Sequence, residues 1–268
     1  MNAFNFKLGS VPYLNARPLT DWFTETEEGR ALGASVEYIL PSLLAPRLEP
    51  GDFAAGLVSS VAWVRRPQLL YVPGVAVACD GPVRSVRLFS QVPISKIRRV
   101  ALDTSSLTSV TLTHVLLEER FGLAPEYTPL APDLESMLES NDAALLIGDK
   151  GYLDYDASLT VLDLGEAWKE WTSLPFVFAL WIGRPDLLTP ELQCHLLTAK
   201  EWGVAHLDEV AARRAAEHGE SLERAQAYFS HAIVYNLGER EEAGLQLFAE
   251  KVRAHGLLQP EPIIQSAR

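Results

Sequence analysis

Cysteine is scarce in this chain of 268 residues: only Cys79 and Cys194 are present. Two thiols so far apart make no CxxC pair, no zinc knuckle and no disulfide framework, and a reduced chain is the simplest expectation. Basic residues are in deficit, with 23 Lys plus Arg against 35 Asp plus Glu and a formal charge of −12. A nucleic-acid groove needs a phosphate-neutralising basic surface, so nucleic acid is not an expected partner. A small anion is not excluded, because a site can be locally positive in an acidic protein. No apolar run approaches the length of a membrane span, so no membrane partner is expected. The opening MNAFNFKLGS has no basic region followed by an apolar stretch. No signal peptide is therefore expected, and a cytoplasmic chain is. The histidines show no ligand spacing, and HExxH, GxSxG and Walker-type loops are all missing, so neither a metal nor an organic cofactor is expected.

What is present is ordinary globular material, 48% hydrophobic and 22% charged, enough for a sizeable core. Strand-like runs occur at Phe4–Leu8, Val36–Leu40, Ala54–Val58, Val83–Phe89, Arg98–Leu102, Ala143–Ile147, Val161–Leu164 and Leu174–Ile182. Helical patterns lie between them. Leu107, Val110, His114, Leu117 and Phe121 recur at three- and four-residue spacing, which predicts a helix with His114 on its apolar side. Thr189 followed by Pro190 predicts a capped helix start, and further helices are expected near 222–229 and 239–254. Alternating strands and helices imply an α/β fold with mostly parallel sheets. The strands at 83–89 and 174–182 bracket a central block, as in a chain that leaves one lobe, builds a second and returns. Residues 1–88 with 180–268 are expected in lobe 1 and residues 89–179 in lobe 2.

Three strand-to-helix turns carry similar polar residues. The first is SVPYLNARPL, with Asn15 at its centre and Arg17 beyond it; the second is Ser59-Ser60; the third is DTSSLTS, which includes Ser106, Leu107 and Thr108. Helix starts aim free N–H groups and a positive dipole end outward, and hydroxyls add short neutral donors. Such turns bind carboxylates or phosphates without a basic residue. One of them alone is more simply a helix cap; three, from two lobes, point to a shared cleft. A fourth turn, with Asp149, carries a weaker signal.

The six segments SVPYLNARPL, AAGLVSSVAW, GPVRSVRLFS, DTSSLTSVTL, ALLIGDKG and LPFVFALW, in this order, resemble the menaquinone-biosynthesis family of the futalosine pathway. The resemblance implies a fold similar to type II periplasmic solute-binding proteins: two α/β lobes, two hinge crossings and a ligand in the cleft. The family has a chorismate dehydratase branch and a 1,4-dihydroxy-6-naphthoate synthase branch. The synthase branch carries a histidine in an Ile-His-Glu-like turn, where this chain has Ile147-Gly148-Asp149, and its opening turn differs from SVPYLNARPL. Both departures imply the dehydratase, whose product is 3-[(1-carboxyvinyl)oxy]benzoate. On that basis Ser59 and the Ser106–Leu107–Thr108 turn are expected to anchor the two carboxylates of chorismate, with Ser85 adding a hydroxyl. Asn15 is expected over the reacting bond. The substrate's own side-chain carboxylate is the first candidate for proton acceptor and Asp149 the second. Arg17 is expected either to pair with a carboxylate or to make a surface or interlobe salt bridge. A solute-binding protein without chemistry, and the sister synthase, are the rival assignments; oligomeric state is left open.

Overall fold

The computed structural model describes residues 6–218 and 221–258. Among the described residues ten strands form two five-stranded sheets. The first contains β1 (Lys7–Ser10), β2 (Ser35–Tyr38), β3 (Ala55–Ser59), β4 (Leu70–Cys79) and β10 (Phe176–Gly183), in the order β2-β1-β3-β10-β4. The second contains β5 (Arg87–Ser90), β6 (Arg99–Asp103), β7 (Glu126–Leu130), β8 (Ala143–Leu146) and β9 (Thr160–Asp163), in the order β7-β6-β8-β5-β9. The first expected strand began at Phe4, which lies outside the described residues.

The two sheets repeat one plan. β1 pairs in parallel with β2 and β3, and β6 in parallel with β7 and β8. The fourth strand of each, β10 and β5, runs antiparallel to both of its neighbours. The sheets are therefore mixed rather than mostly parallel. The reason is topological: β5 and β10 are the first strands after the chain changes sheet, and each enters from the opposite end.

By sheet membership the chain crosses at residues 80–86 and 164–175. The expected lobe divisions after residues 88 and 179 thus fall inside β5 and β10. All of β10 belongs to the first sheet; its continuous apolar run gives no sign of where the chain changes lobe. Both crossings are tied down. Asp163 Oδ1 accepts from Val83 N at 3.1 Å and Oδ2 from Arg84 N at 2.7 Å, while Oδ1 also caps the helix Leu164–Thr172 through Gly165 N and Glu166 N. At the second crossing Trp168 Nε1 donates to Pro175 O at 3.1 Å. Its ring meets Phe176 edge-on at 5.2 Å, and Phe176 meets Phe248 at 5.0 Å. All three rings are buried, and each fully buried aromatic of this size is worth about 1.5–3 kcal/mol.

The C-terminal helices follow β10. The helix Pro190–Ala205 starts where Thr189 and Pro190 predict, with Thr189 Oγ1 accepting from Leu192 N at 3.2 Å. The helix Glu239–Ala254 packs Leu245, Phe248 and Val252 into the core. His114 is part-buried, with its ring 3.7 Å from that of Tyr127 and Nδ1 3.4 Å from Glu118, so it has the packing role its pattern implied. Among the described residues no helix is long and apolar enough to cross a membrane.

Candidate active site

Each of the polar turns ends a strand at the seam between the sheets. After β1 the chain bends through Tyr13 into a 3-10 turn, Leu14–Leu19, and only then into the α-helix Asp21–Glu25. Pro18 sits inside the 3-10 turn. After β3 the helix Ser60–Arg65 starts at once; after β6 the helix Thr108–Val115 starts with Leu107 as its N-cap residue.

The inner part of the seam is a cavity of about 60 Å³. Asn15 and Ser59 line it from the first lobe, and Ser106 and Thr108 from the second. Its apolar walls include Val83 and Val86 of the first crossing and Phe178 of β10. The expected strand Val83–Phe89 is therefore only β5 at its end, and the valines before it wall the cavity instead. No lysine or arginine lines this space among the described residues. The polar groups that line it are hydroxyls and one amide, neutral groups that can donate to an anion.

The two lobes bond to one another here. Thr108 Oγ1 accepts from Val61 N at 3.2 Å, so a second-lobe hydroxyl serves an N–H in the first turn of a first-lobe helix. Ser60 Oγ lies 3.4 Å from the same oxygen and donates to Val177 O at 2.7 Å. Ser106 Oγ accepts from Ser109 N at 3.2 Å, closing its own turn. Asn15 Nδ2 donates to Tyr228 Oη at 3.4 Å, and Tyr228 Oη donates to Ser85 Oγ at 2.7 Å. Ser85 is thereby linked to the site through Tyr228.

The remaining candidates lie elsewhere. Leu107 is buried in the core, and its carbonyl accepts from Thr111 N and Thr111 Oγ1. The Arg17 guanidinium stacks 4.0 Å over the Tyr38 ring and does not line the cavity. Asp149 lines an outer cavity of about 520 Å³, and its Oδ1 accepts from Leu14 N at 3.5 Å.

Tyr13 was not singled out in the sequence, although it stands inside the first polar turn. It lines both the inner and the outer cavity and so divides them. Its ring lies against Gly148, whose φ is +56; a Cβ there would come 2.7 Å from Tyr13 Cδ1. Burial pushes the Tyr13 phenol up to about 12, with Ser105 opposing and Asp103 and Asp149 adding to the rise. Asp103, below it, accepts from Ser105 N, Ser105 Oγ and Ile147 N, and burial holds its carboxyl above the usual value despite those donors. Tyr228 was also missed; burial raises it as well, so both phenols stay protonated at ordinary pH.

A family model described as menaquinone biosynthesis matches residues 6–254. The chain belongs to this menaquinone-biosynthesis family. A chorismate dehydratase of Thermus thermophilus is 34% identical over 267 residues, covering 91% of this chain and 94% of that protein. A crystal structure of an Archaeoglobus fulgidus protein superimposes with a TM-score of 0.77 at 20% identity, covering 96% of this chain and 100% of that one. The alkanesulfonate-binding protein SsuA of Xanthomonas axonopodis, solved with MOPS, gives 0.69 at 16% identity over 95% and 94% of the two chains. At such identities the structures speak to fold alone, and that fold is the two-lobe α/β architecture of periplasmic binding proteins. This family member has the fold that its motifs implied.

Proposed function

We propose that the chain is a chorismate dehydratase, a carbon–oxygen lyase that forms 3-[(1-carboxyvinyl)oxy]benzoate and water for menaquinone biosynthesis by the futalosine pathway. The observation that carries this is the gathering of Asn15, Ser59, Ser106 and Thr108 from opposite lobes around one cavity without a charged side chain. The long match to the Thermus dehydratase supports the same assignment.

The chemistry suits such a site. Chorismate carries two carboxylates. Its C3 hydrogen is vinylogous to the ring carboxylate and so acidified, and loss of that proton with the C4 hydroxyl makes the ring aromatic. No strong base is needed. The protein must hold the diene in the reactive conformation and suppress the competing pericyclic rearrangement, which is catalysis by orientation and fixed dipoles. In this proposal Ser59 and the Ser106–Thr108 turn each hold one carboxylate. Asn15 sits over the C3–C4 bond and guides the departing oxygen. An amide is a poor base, and Asp149 stands in the outer cavity, so the proton passes to the substrate's own side-chain carboxylate. It leaves with the C4 hydroxyl as water.

Incubating the protein with chorismate and following mass and ultraviolet absorbance tests the assignment. The expected product is lighter than chorismate by one water and has a benzenoid spectrum. Tight binding without turnover would instead identify a solute-binding protein. Inertness towards chorismate with turnover of cyclic dehypoxanthine futalosine would identify the sister synthase.

A further inference from the structure

Tyr228 opens the π-helical stretch Tyr228–Ala232 that continues the helix Leu222–Ala227. Its hydroxyl meets parts of the chain far apart in sequence: Asn15 in the turn after β1 and Ser85 in the first crossing. Its ring lies 4.6 Å from that of Tyr152, in the helix after β8. This placement is held from the second lobe. Arg224 pairs with Asp154 at 2.5 Å and lies 4.5 Å over the Tyr152 ring, while Tyr152 Oη donates to Arg224 O at 2.8 Å.

A primary amide has nearly the same shape whichever end carries oxygen, so sterics alone do not orient Asn15. The phenol does. Its single proton is committed to Ser85 Oγ, so only lone pairs remain for Asn15, and only the Nδ2 end can meet them. Burial keeps the phenol protonated. We propose that Tyr228 is a positioning residue that fixes the Asn15 amide, turning one Nδ2 proton inward and leaving Oδ1 and the second N–H for the reacting C4 oxygen. This rests on the dehydratase assignment and adds to it a residue that acts through Asn15 rather than on the substrate.

The experiment measures kcat and KM for chorismate with Tyr228→Phe, in the wild-type and in the Asn15→Ala background. The substitution keeps the ring on Tyr152 and removes only the oxygen. In the wild-type background kcat is expected to fall about tenfold or more, with KM held within about twofold. In the Asn15→Ala background the same change is expected to do nothing further, because a residue acting through Asn15 has nothing left to orient. Nuclear magnetic resonance supplies a readout without turnover: the Asn15 side-chain amide signals should move in Tyr228→Phe. Ser85→Ala is the second variant; it frees the phenolic proton to turn towards Asn15 and should also lower kcat. Wild-type kcat in Tyr228→Phe, or an equal loss in both backgrounds, would overturn the inference while leaving the dehydratase assignment standing. A wild-type protein inert towards chorismate would overturn the assignment and the inference together.

Discussion

Replacing Thr108 by valine removes one hydroxyl and almost no volume. That hydroxyl accepts from Val61 N at 3.2 Å. Val61 is second in its helix, so its N–H has no intrahelical acceptor, and it is buried. Without Thr108 Oγ1 the N–H faces a methyl group, and an unsatisfied buried donor costs about 1–3 kcal/mol. The loss falls on one of the contacts between the two lobes, and it also removes a hydroxyl from the cavity wall. An effect of that size corresponds to about 5- to 150-fold in an equilibrium constant. Thr108→Val is therefore expected to weaken binding of the dianionic product by a factor in that range and to lower stability to urea, whereas Thr108→Ser, which keeps the oxygen, stays near wild type in both. Calorimetric titration and urea unfolding of the two variants check this. If valine and serine behave alike, the hydroxyl is not joining the lobes and the reasoning fails.

Asn15→Ala should fold normally yet lose chorismate turnover by orders of magnitude; a nearly unchanged rate removes the role given to the amide. Asp163→Ala removes a helix cap and the acceptor for two N–H groups of the first crossing, and should cost about 2–4 kcal/mol in urea unfolding; a loss near zero would mean that water replaces it. Burial holds the His114 imidazole below its ordinary 6.5, with Glu118 opposing. As pH falls through that value the unfolded chain takes up the proton first, so His114 lowers stability on the acid side and not above. The stability curve of His114→Gln should accordingly be flatter than that of the wild type below pH 6.5, and parallel curves would contradict this.

The polar turns were legible because their signals are local. A hydroxyl or amide directly after an apolar strand reports both the strand's end and the helix's start, and Asn15, Ser59, Ser106 and Thr108 do meet. The helices at 190 and 239 were legible for the same reason. β4, the longest strand, was not read at all. Pro73 and Gly74, with φ +81, interrupt its pattern, and its pairing with β10 shifts register. β7 was hidden by Pro129, which the structure tolerates at the sheet edge. The charge of Arg17 left a carboxylate partner and a salt bridge equally open, and its stacking over Tyr38 depends on a strand distant from it in sequence. Tyr228 had no local signal: it reaches Ser85 across 143 positions of sequence, a contact that only the return of the chain to the first lobe creates.

The proposed grip of neutral hydroxyls from both lobes on one dianion is tested most directly by calorimetric titration of 3-[(1-carboxyvinyl)oxy]benzoate into the wild type, Ser59→Ala and Ser106→Ala. A hydrogen bond to a charged group is worth about 1.5–3 kcal/mol, so each single variant, altered in a different lobe, should bind roughly 10- to 150-fold more weakly. Affinity unchanged in either variant would mean that its lobe does not hold the ligand through that hydroxyl, and the two-sided grip would be wrong.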